Sequence, residues 1–143
     1  MSKVGSGRLK MNLSAPHILI VDDDPAIRRL IELILRKGGY RYSLAANGLR
    51  AIELMEADPP DVVICDLTMP EMDGFQLLLM MKEAPTLAHI PVIILTAGGQ
   101  QHQVEHVLEH GAAACLFKPF SIHEFLSTIR KALDAAAHEP RAD

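Results

Sequence analysis

Short apolar runs alternate with amphipathic helical patterns five times along this 143-residue chain, and this alternation constrains the fold more than any other feature. Most of the runs are continuous stretches of Ile, Val and Leu, which is typical of parallel strands covered on both faces. The helical patterns between them each predict one buried face. The sequence therefore predicts an α/β fold, a doubly wound parallel sheet sandwiched in three layers between helices. The predicted strands are residues 18–21, 40–45, 62–65, 92–95 and 113–117.

Length and composition predict one domain and exclude several functions. We predict a flexible tail at 1–14, a folded domain at 15–135 and a C-terminal tail at 136–143. The net charge of −4 and the aromatic content of 4% argue against nucleic-acid binding, which needs a basic excess or stacking platforms. The apolar runs are too short to span a membrane. Cys65 and Cys115 lie within apolar runs, which indicates buried thiols and a reducing, cytoplasmic location.

Polar residues stand at the carboxyl ends of four predicted strands. In parallel sheets these ends lie at one edge, where α/β folds bind their ligands. An acid after a strand is often a helix cap, and Asp24 fits that role because it precedes Pro25. The other acids need a further explanation, since each like-charged pair about 5 Å apart costs roughly 3 kcal/mol at an effective dielectric of about 20. The remaining strand-end residues are Asp22, Asp23, Asp66, Thr96 and Lys118.

This acidic group predicts a site for a metal ion. Lys118 can balance one negative charge, and the rest requires a divalent cation. Oxygen ligands favour a hard ion, Mg²⁺ or alternatively Mn²⁺. A metal, a lysine and the hydroxyl of Thr96 around the Asp66 carboxylate suit phosphoryl transfer, in which positive charge neutralises the phosphoryl oxygens while the carboxylate attacks.

At these residues the chain resembles the receiver domain of two-component response regulators, the family of the chemotaxis response regulator. The resemblance extends from Pro16 to about Ala135. It implies a flavodoxin-like (βα)5 fold with the strand order 2-1-3-4-5. The matching segments are ILIVDDD (18–24), VVICDLTMPEMDG (62–74), IILTA (93–97) and FKPF (117–120), in the family's order and spacing.

The resemblance implies a role for each matching acid. Asp66 corresponds to the phosphoacceptor, which also contacts the metal. Asp23 corresponds to a direct metal ligand, and Asp22 to an acid that holds the metal through water. The backbone carbonyl of Thr68 would complete the protein ligands of Mg²⁺.

The last two motifs carry the residues that contact the phosphoryl group and transmit its presence. Thr96 and Lys118 correspond to the contacting pair, and the bond between Lys118 and Pro119 is expected to be cis. The family usually has an aromatic residue three positions before the lysine, where this chain has Cys115. We therefore expect Thr96 to move and to shift the loop 97–99 and the next helix without an aromatic latch.

The resemblance also implies a function. A stand-alone receiver of this kind takes a phosphoryl group from a phosphohistidine of a histidine kinase or histidine phosphotransfer protein in two-component signalling. It is a phosphoacceptor domain rather than an enzyme, and it catalyses only its own phosphorylation and dephosphorylation, with Thr68 and Gly98 near the attacking water. Its output is expected to be binding of a downstream protein at the fourth helix, fifth strand and fifth helix, as a monomer or weak homodimer.

Other functions remain open at the level of sequence. A phosphatase or mutase with an Asp nucleophile would share the chemistry, but the run after Asp66 lacks the second acid of Asp-x-Asp-x-Thr. A receiver-like interaction module that is never phosphorylated is the strongest alternative, and Cys115 keeps it open. A further alternative is that the chain is a receiver fragment of a larger hybrid kinase or regulator.

Two further groups of residues invite a functional interpretation. His102, His106 and His110 recur at every fourth position, a spacing that suits a metal or a pH-sensitive surface. A solvated helix face explains them more simply. Met69 and Met72 follow the phosphoacceptor strand and are interpreted as core-filling residues rather than partner anchors.

Overall fold

The structure is a computed structural model that describes residues 15–98 and 101–138. The predicted tail at 1–14, Gly99, Gln100 and residues 139–143 lie outside the described ranges. Strands and helices alternate along the chain, as predicted. The strands are His17–Val21 (β1), Arg41–Ala45 (β2), Val62–Asp66 (β3), Val92–Thr96 (β4) and Ala114–Phe117 (β5). The helices are Pro25–Gly38 (α1), Gly48–Ala57 (α2), Gly74–Glu83 (α3), Gln101–Glu109 (α4) and Ile122–His138 (α5).

The five strands form one parallel sheet in the order β2-β1-β3-β4-β5. This order confirms the predicted doubly wound fold. The chain winds toward β2 first and then returns across β1 to β3, so the winding direction reverses between β1 and β3. The carboxyl ends of these two strands therefore adjoin at the position where such folds bind ligands.

Helices cover both faces of the sheet, because successive strand side chains point to opposite sides. On one face, strand residues such as Leu19 and Val63 form a core with α2, α3 and α4. On the other face, residues such as Ile20 and Ile64 form a core with α1 and α5. The three central strands are buried along their whole length, which explains their continuous apolar sequences.

Helix ends follow the local sequence. The Asp24 carboxylate caps α1 by accepting a hydrogen bond from the backbone N–H of Ala26 at 2.9 Å. Gly39 ends α1 in the left-handed conformation with φ of 81°. At the start of α5, Ser121 and Glu124 form a reciprocal capping box. These contacts satisfy backbone groups that a helix end leaves without partners.

Some boundaries and buried positions differ from the sequence expectation. Helical spacing places Leu30, Leu49 and Leu108 on buried faces, but their side chains are 45%, 62% and 43% exposed. Each lies at the flank of its helix, outside the narrower stripe that contacts the sheet. Helix α5 continues to His138, so the first part of the segment 136–143 is helical. Among the helices of the described ranges, none is long and apolar enough to cross a membrane.

Candidate functional site

The strand-end residues meet at the carboxyl edge of the sheet. Asp22 follows β1, Asp66 ends β3, Thr96 ends β4 and Lys118 follows β5. The side chains of the first three are buried, with 0%, 9% and 2% of their residue surface exposed. Polar residues are seldom buried at these levels without a partner or a function. The fold thus gathers residues that lie far apart in the sequence.

Three carboxylates form a compact acidic cluster at this edge. Asp22, Asp23 and Asp66 each offer an oxygen, and these oxygens all lie within 4.8 Å of one another. Asp22 and Asp66 are buried, whereas Asp23 is exposed. Ionised groups at this separation repel one another, and burial strengthens the repulsion. The cluster is open to solvent at Asp23.

Lys118 is the cation that the structure places in the cluster. Its Nζ lies 3.4 Å from Oδ1 of Asp66 and 3.5 Å from Oδ2 of Asp22. One ammonium group therefore contacts two buried carboxylates at once. Within residues 15–98 and 101–138, no other ion pair reaches the cluster. The three carboxylates exceed this single positive charge by two.

Asp22 is held rigidly by its neighbours. Its Oδ1 accepts a hydrogen bond from the backbone N–H of Asp24 at 2.9 Å. Its own N–H donates to the carbonyl of Ala45 on β2. The guanidinium Nη1 of Arg28 donates to the Asp22 carbonyl at 2.6 Å. Arg28 was not predicted from the sequence, although its position one turn after the cap Asp24 is a signal that could have suggested it.

The environment of Asp66 makes its negative charge costly. Burial, together with the charge of Asp22, raises the pKa of the Asp66 carboxyl group. Lys118 and a hydrogen bond from the backbone N–H of Thr68 act in the opposite direction. The raised pKa shows that the repulsion is only partly relieved. A cation bound beside Asp66 would favour its ionised, nucleophilic form.

The loop after Asp66 folds back onto the strand, and Gly74 makes this possible. A Cβ at Gly74 would lie 2.5 Å from the carbonyl oxygen of Asp66 and 2.9 Å from Cα of Leu67. The Gly74 N–H donates to the carbonyl of Leu67 at 2.9 Å. This close approach holds the loop, including Thr68, beside the acidic cluster.

The ends of β4 and β5 complete the site. The N–H of Lys118 donates to the carbonyl of Thr96 at 2.8 Å, which joins the two strand ends. The Thr96 hydroxyl oxygen accepts a long hydrogen bond of 3.4 Å from the N–H of Gly98. The peptide bond between Lys118 and Pro119 is cis. Gly99, the end of the loop predicted to move, lies outside the described residues.

The two cysteines occupy different environments, whereas the sequence predicted that both are buried. Cys65 is fully buried in β3, but Cys115 is only partly buried. Burial raises the pKa of each thiol, which keeps it protonated and unreactive near neutral pH. Cys115 pairs in register with Ile94 and packs beside the core under α2, α3 and α4. Cys115 is less buried than Cys65 because β5 is an edge strand, whereas β3 lies in the middle of the sheet.

The histidine stripe is exposed, in agreement with the solvated interpretation. Two of its rings also contact another helix. The ring centroid of Phe75 on α3 lies 4.4 Å from the ring centroid of His106 and 5.1 Å from that of His110. Among the described residues, only the acidic cluster gathers three metal-ligating groups, so the stripe does not form such a site. Met69 is buried in the core as predicted, and Met72 is half-buried.

The acidic cluster fits a hard divalent cation. Its donors are all carboxylate oxygens, drawn from the ends of two neighbouring strands. Two are buried and one is exposed, which leaves a side open for water or a phosphate oxygen. Mg²⁺ has these preferences, since it binds through few carboxylates and keeps several water ligands. The excess of negative charge in the cluster would attract such an ion.

Residues 18–130 match the family of the response regulator receiver domain. The chain belongs to this family. The match covers the sheet apart from His17, the first residue of β1, and every residue of the acidic cluster, and it confirms the resemblance noted in the sequence. Members of this receiver family act in two-component signalling and interact with histidine kinases or phosphotransfer proteins.

Two relatives illustrate the range of proteins that contain such a receiver. The chain is 40% identical over 116 residues to sporulation initiation phosphotransferase F of Bacillus subtilis, covering 81% of this chain and 92% of that protein. It is 36% identical over 127 residues to the DNA-binding dual master transcriptional regulator RpaA of Synechocystis. That alignment covers 89% of this chain but 53% of RpaA. The receiver thus spans about half the length of that relative.

Solved structures agree with the fold and the metal fit. The receiver is similar to chemotaxis protein CheY4 of Vibrio cholerae, with a TM-score of 0.80, 28% identity and coverage of 84% of this chain and 100% of that one. It is also similar to the receiver domain of sensor histidine kinase PA1611 of Pseudomonas aeruginosa, with a TM-score of 0.77, 30% identity and coverage of 85% and 99%. That receiver has a magnesium ion coordinated in its active site cleft.

Proposed function

We propose that this receiver accepts a phosphoryl group on Asp66 from a phosphohistidine of a histidine kinase or histidine phosphotransfer protein, in a reaction that depends on Mg²⁺. One observation carries the proposal: the ammonium group of Lys118 lies within 3.5 Å of the buried carboxylates of Asp22 and Asp66. A buried acid beside a fixed cation and an excess of negative charge is suited to bind a metal and then a phosphoryl group.

The metal ligands follow from the acidic cluster. Asp22, Asp23 and Asp66, with the backbone carbonyl of Thr68, would hold Mg²⁺, and Mn²⁺ would be a substitute. When bound, the ion supplies positive charge that neutralises the phosphoryl oxygens. The hydrogen bond from the N–H of Asp24 to Oδ1 of Asp22 keeps this carboxylate in place before the ion arrives, and the hydrogen bond from Arg28 fixes the backbone carbonyl of the same residue; this order reduces the entropy lost on binding.

The remaining steps belong to the protein's own side chains. An oxygen of Asp66 forms a bond to phosphorus while the P–N bond of the phosphohistidine breaks, and its electron pair stays on the imidazole nitrogen. Lys118 balances the charge of a phosphoryl oxygen, and the Thr96 hydroxyl donates a hydrogen bond to another. In hydrolysis, water attacks phosphorus and the Asp66 carboxylate leaves, with Thr68 and Gly98 controlling access. The domain thereby catalyses only its own phosphorylation and dephosphorylation.

The output of the domain is proposed to be protein binding at the face formed by α4, β5 and α5. Leu108, Phe117 and Ile122 support this choice, because they expose 43%, 47% and 51% of their surface there. We propose a stand-alone receiver, as a monomer or weak homodimer in the cytoplasm. Both cysteines are free, which fits a reducing compartment.

The switch is proposed to depend on Thr96, with Cys115 in place of an aromatic residue. Among the described residues, the hydroxyl of Thr96 takes part in one long hydrogen bond, from the N–H of Gly98, and we propose that it turns toward a phosphoryl group. Structures with and without a phosphoryl mimic should differ at residues 96–98 and along α4. Superposition of these segments would contradict the proposed switch.

Intact-mass spectrometry after incubation with acetyl phosphate and Mg²⁺ tests the phosphoacceptor. The native chain should gain one phosphoryl group that hydroxylamine removes, as expected for an acyl phosphate. Asp66→Ala should gain none, and the matched control Asp134→Asn, an exposed acid on α5, should behave as native. If the native chain gains no phosphoryl group from acetyl phosphate or from a phosphorylated histidine kinase, the phosphorylation-independent interaction module replaces this proposal.

A further inference from the structure

Helix α3 carries apolar residues on its outer side as well as on its inner side. Its inner side packs into the core through Leu77, Leu78 and Met81, which are at most 1% exposed. Its outer side carries Leu79, which is half-buried, and Met80, which is 44% exposed. Large apolar side chains on the outer side of a helix indicate that this side contacts a further partner. Among the described residues, the sheet covers the inner side of α3 and leaves Met80 exposed.

The outer side of α3 forms one wall of an open groove. This depression has a volume of about 400 Å³ and adjoins a second one of about 240 Å³ beside the start of α2. Glu71 and Met72 line both, so we treat them as one surface, the α2–α3 groove. The other lining residues are Asn47, Gly48, Leu49, Pro70, Gln76, Leu79, Met80 and Glu83.

The shape and composition of this groove suit a partner helix. Gln76, Leu79, Met80 and Glu83 fall at positions i, i+3, i+4 and i+7 and so form a straight stripe along α3. Leu49, which is 62% exposed, extends the apolar surface at the far end. Methionine side chains adapt to different apolar surfaces, and they are frequent in grooves that bind amphipathic helices.

The charge of the groove identifies the kind of partner. Glu71 and Glu83 are the charged residues that line it, and neither lysine nor arginine occurs among the lining residues that the structure describes. Both acids are exposed. A partner that brings acidic residues here would be repelled, whereas lysine or arginine beside an apolar stripe would be attracted.

We propose that the α2–α3 groove binds an amphipathic helix of a partner protein, with apolar residues against Leu49, Met72 and Met80 and with lysine or arginine residues at its flanks near Glu71 and Glu83. This surface is separate from the acidic cluster and from the α4, β5 and α5 face. The inference does not depend on phosphorylation of Asp66.

A designed peptide tests the proposal directly. The probe is a fluorescein-labelled amphipathic helix with leucines on one face and lysines on its flanks, titrated with the native receiver by fluorescence anisotropy. Binding should saturate, and amide NMR shifts should concentrate at residues 47–49 and 70–83. Met80→Ser and Glu83→Lys should each weaken binding about tenfold, which corresponds to about 1.4 kcal/mol. The matched control Leu33→Ser, on α1 and also 44% exposed in the native chain, should leave binding unchanged.

Several results would overturn the proposal. These are binding that does not saturate, equal weakening by Leu33→Ser, and equal binding of a peptide with glutamates in place of lysines. Self-association of the receiver that Met80→Ser abolishes would assign the groove to a second copy instead. Circular dichroism of Met80→Ser and Glu83→Lys checks folding, which both should retain because the side chains are exposed. The titration uses no phosphoryl donor, so its failure leaves the proposed phosphoacceptor function unaffected.

Discussion

Replacing Asp66 by Asn is expected to stabilise the metal-free receiver, although it removes the proposed phosphoacceptor. Burial and the neighbouring Asp22 raise the pKa of Asp66. An acid whose pKa is raised on folding destabilises the folded state wherever it is ionised, and this cost is fully present above the raised pKa. Asn has a similar shape and no charge. The substitution therefore removes the cost near neutral pH.

The distances give the size of the expected effect. Burial is the larger of the two effects that raise the pKa of Asp66, and its desolvation cost is about 4 kcal/mol. An oxygen of Asp22 lies within 4.8 Å of an oxygen of Asp66, which adds a repulsion of about 3.5 kcal/mol at an effective dielectric of about 20. Lys118, 3.4 Å from Asp66, returns an attraction of about 5 kcal/mol. The net cost of the charge is about 2–3 kcal/mol, and the weaker hydrogen bond from Thr68 to a neutral amide offsets up to about 1 kcal/mol of the gain. We expect a gain of about 1–2 kcal/mol.

Urea unfolding in EDTA at about pH 7 measures this gain, with Asp134→Asn as the control for loss of an exposed charge. The difference between the native chain and Asp66→Asn should shrink as pH falls, because protonation of Asp66 relieves the native protein of the same cost. A variant that is less stable than native in EDTA would refute the electrostatic account of the site. A control that gains as much stability as Asp66→Asn would refute it equally.

Three other predictions concern the metal, a loop and a buried histidine. Mg²⁺ at about a hundredfold excess over its dissociation constant should raise the free energy of unfolding by about 2.7 kcal/mol, and Asp23→Asn should reduce this gain in thermal melts. An equal gain in the native chain and in the variant would exclude Asp23 as a ligand. Gly74→Ala should lower the free energy of unfolding in urea by about 1–3 kcal/mol, because the new Cβ would lie 2.5 Å from the Asp66 carbonyl oxygen. An unchanged urea midpoint would show that the loop adjusts freely. Burial lowers the pKa of His17 below 6.5, so the folded state resists its protonation, and the free energy of unfolding should fall as the pH decreases below 6.5. His17→Gln should flatten this pH dependence, and an unaltered slope would contradict the role of His17.

The fold and the site's location could be predicted because both depend on local patterns. Continuous apolar runs mark the strands, and the residue that ends each run must lie at the carboxyl edge of a parallel sheet. Asp22, Asp66, Thr96 and Lys118 therefore meet without any knowledge of the loops. The family resemblance added the strand order, which periodicity alone leaves undetermined.

Features that depend on the path of a loop or on one helix flank could not be predicted in the same way. Whether Leu49 faces the core depends on how α2 is rotated against the sheet, which its spacing does not determine. The close approach of Gly74 to Asp66 depends on the loop between β3 and α3. The direction of a long side chain such as Arg28 is set by the partner it finds, here the carbonyl of Asp22.

The ion pair between Lys118 and Asp22 joins residues that are 96 positions apart in the chain. Asp22 follows β1, the first of the described strands to be synthesised, and Lys118 follows β5, the last of them. A nascent chain therefore carries its acids long before their counter-charge emerges from the ribosome. The acidic cluster gains its balancing ammonium group only when β5 has joined the sheet, so under the proposed function an incompletely made copy would lack a group needed to accept phosphate.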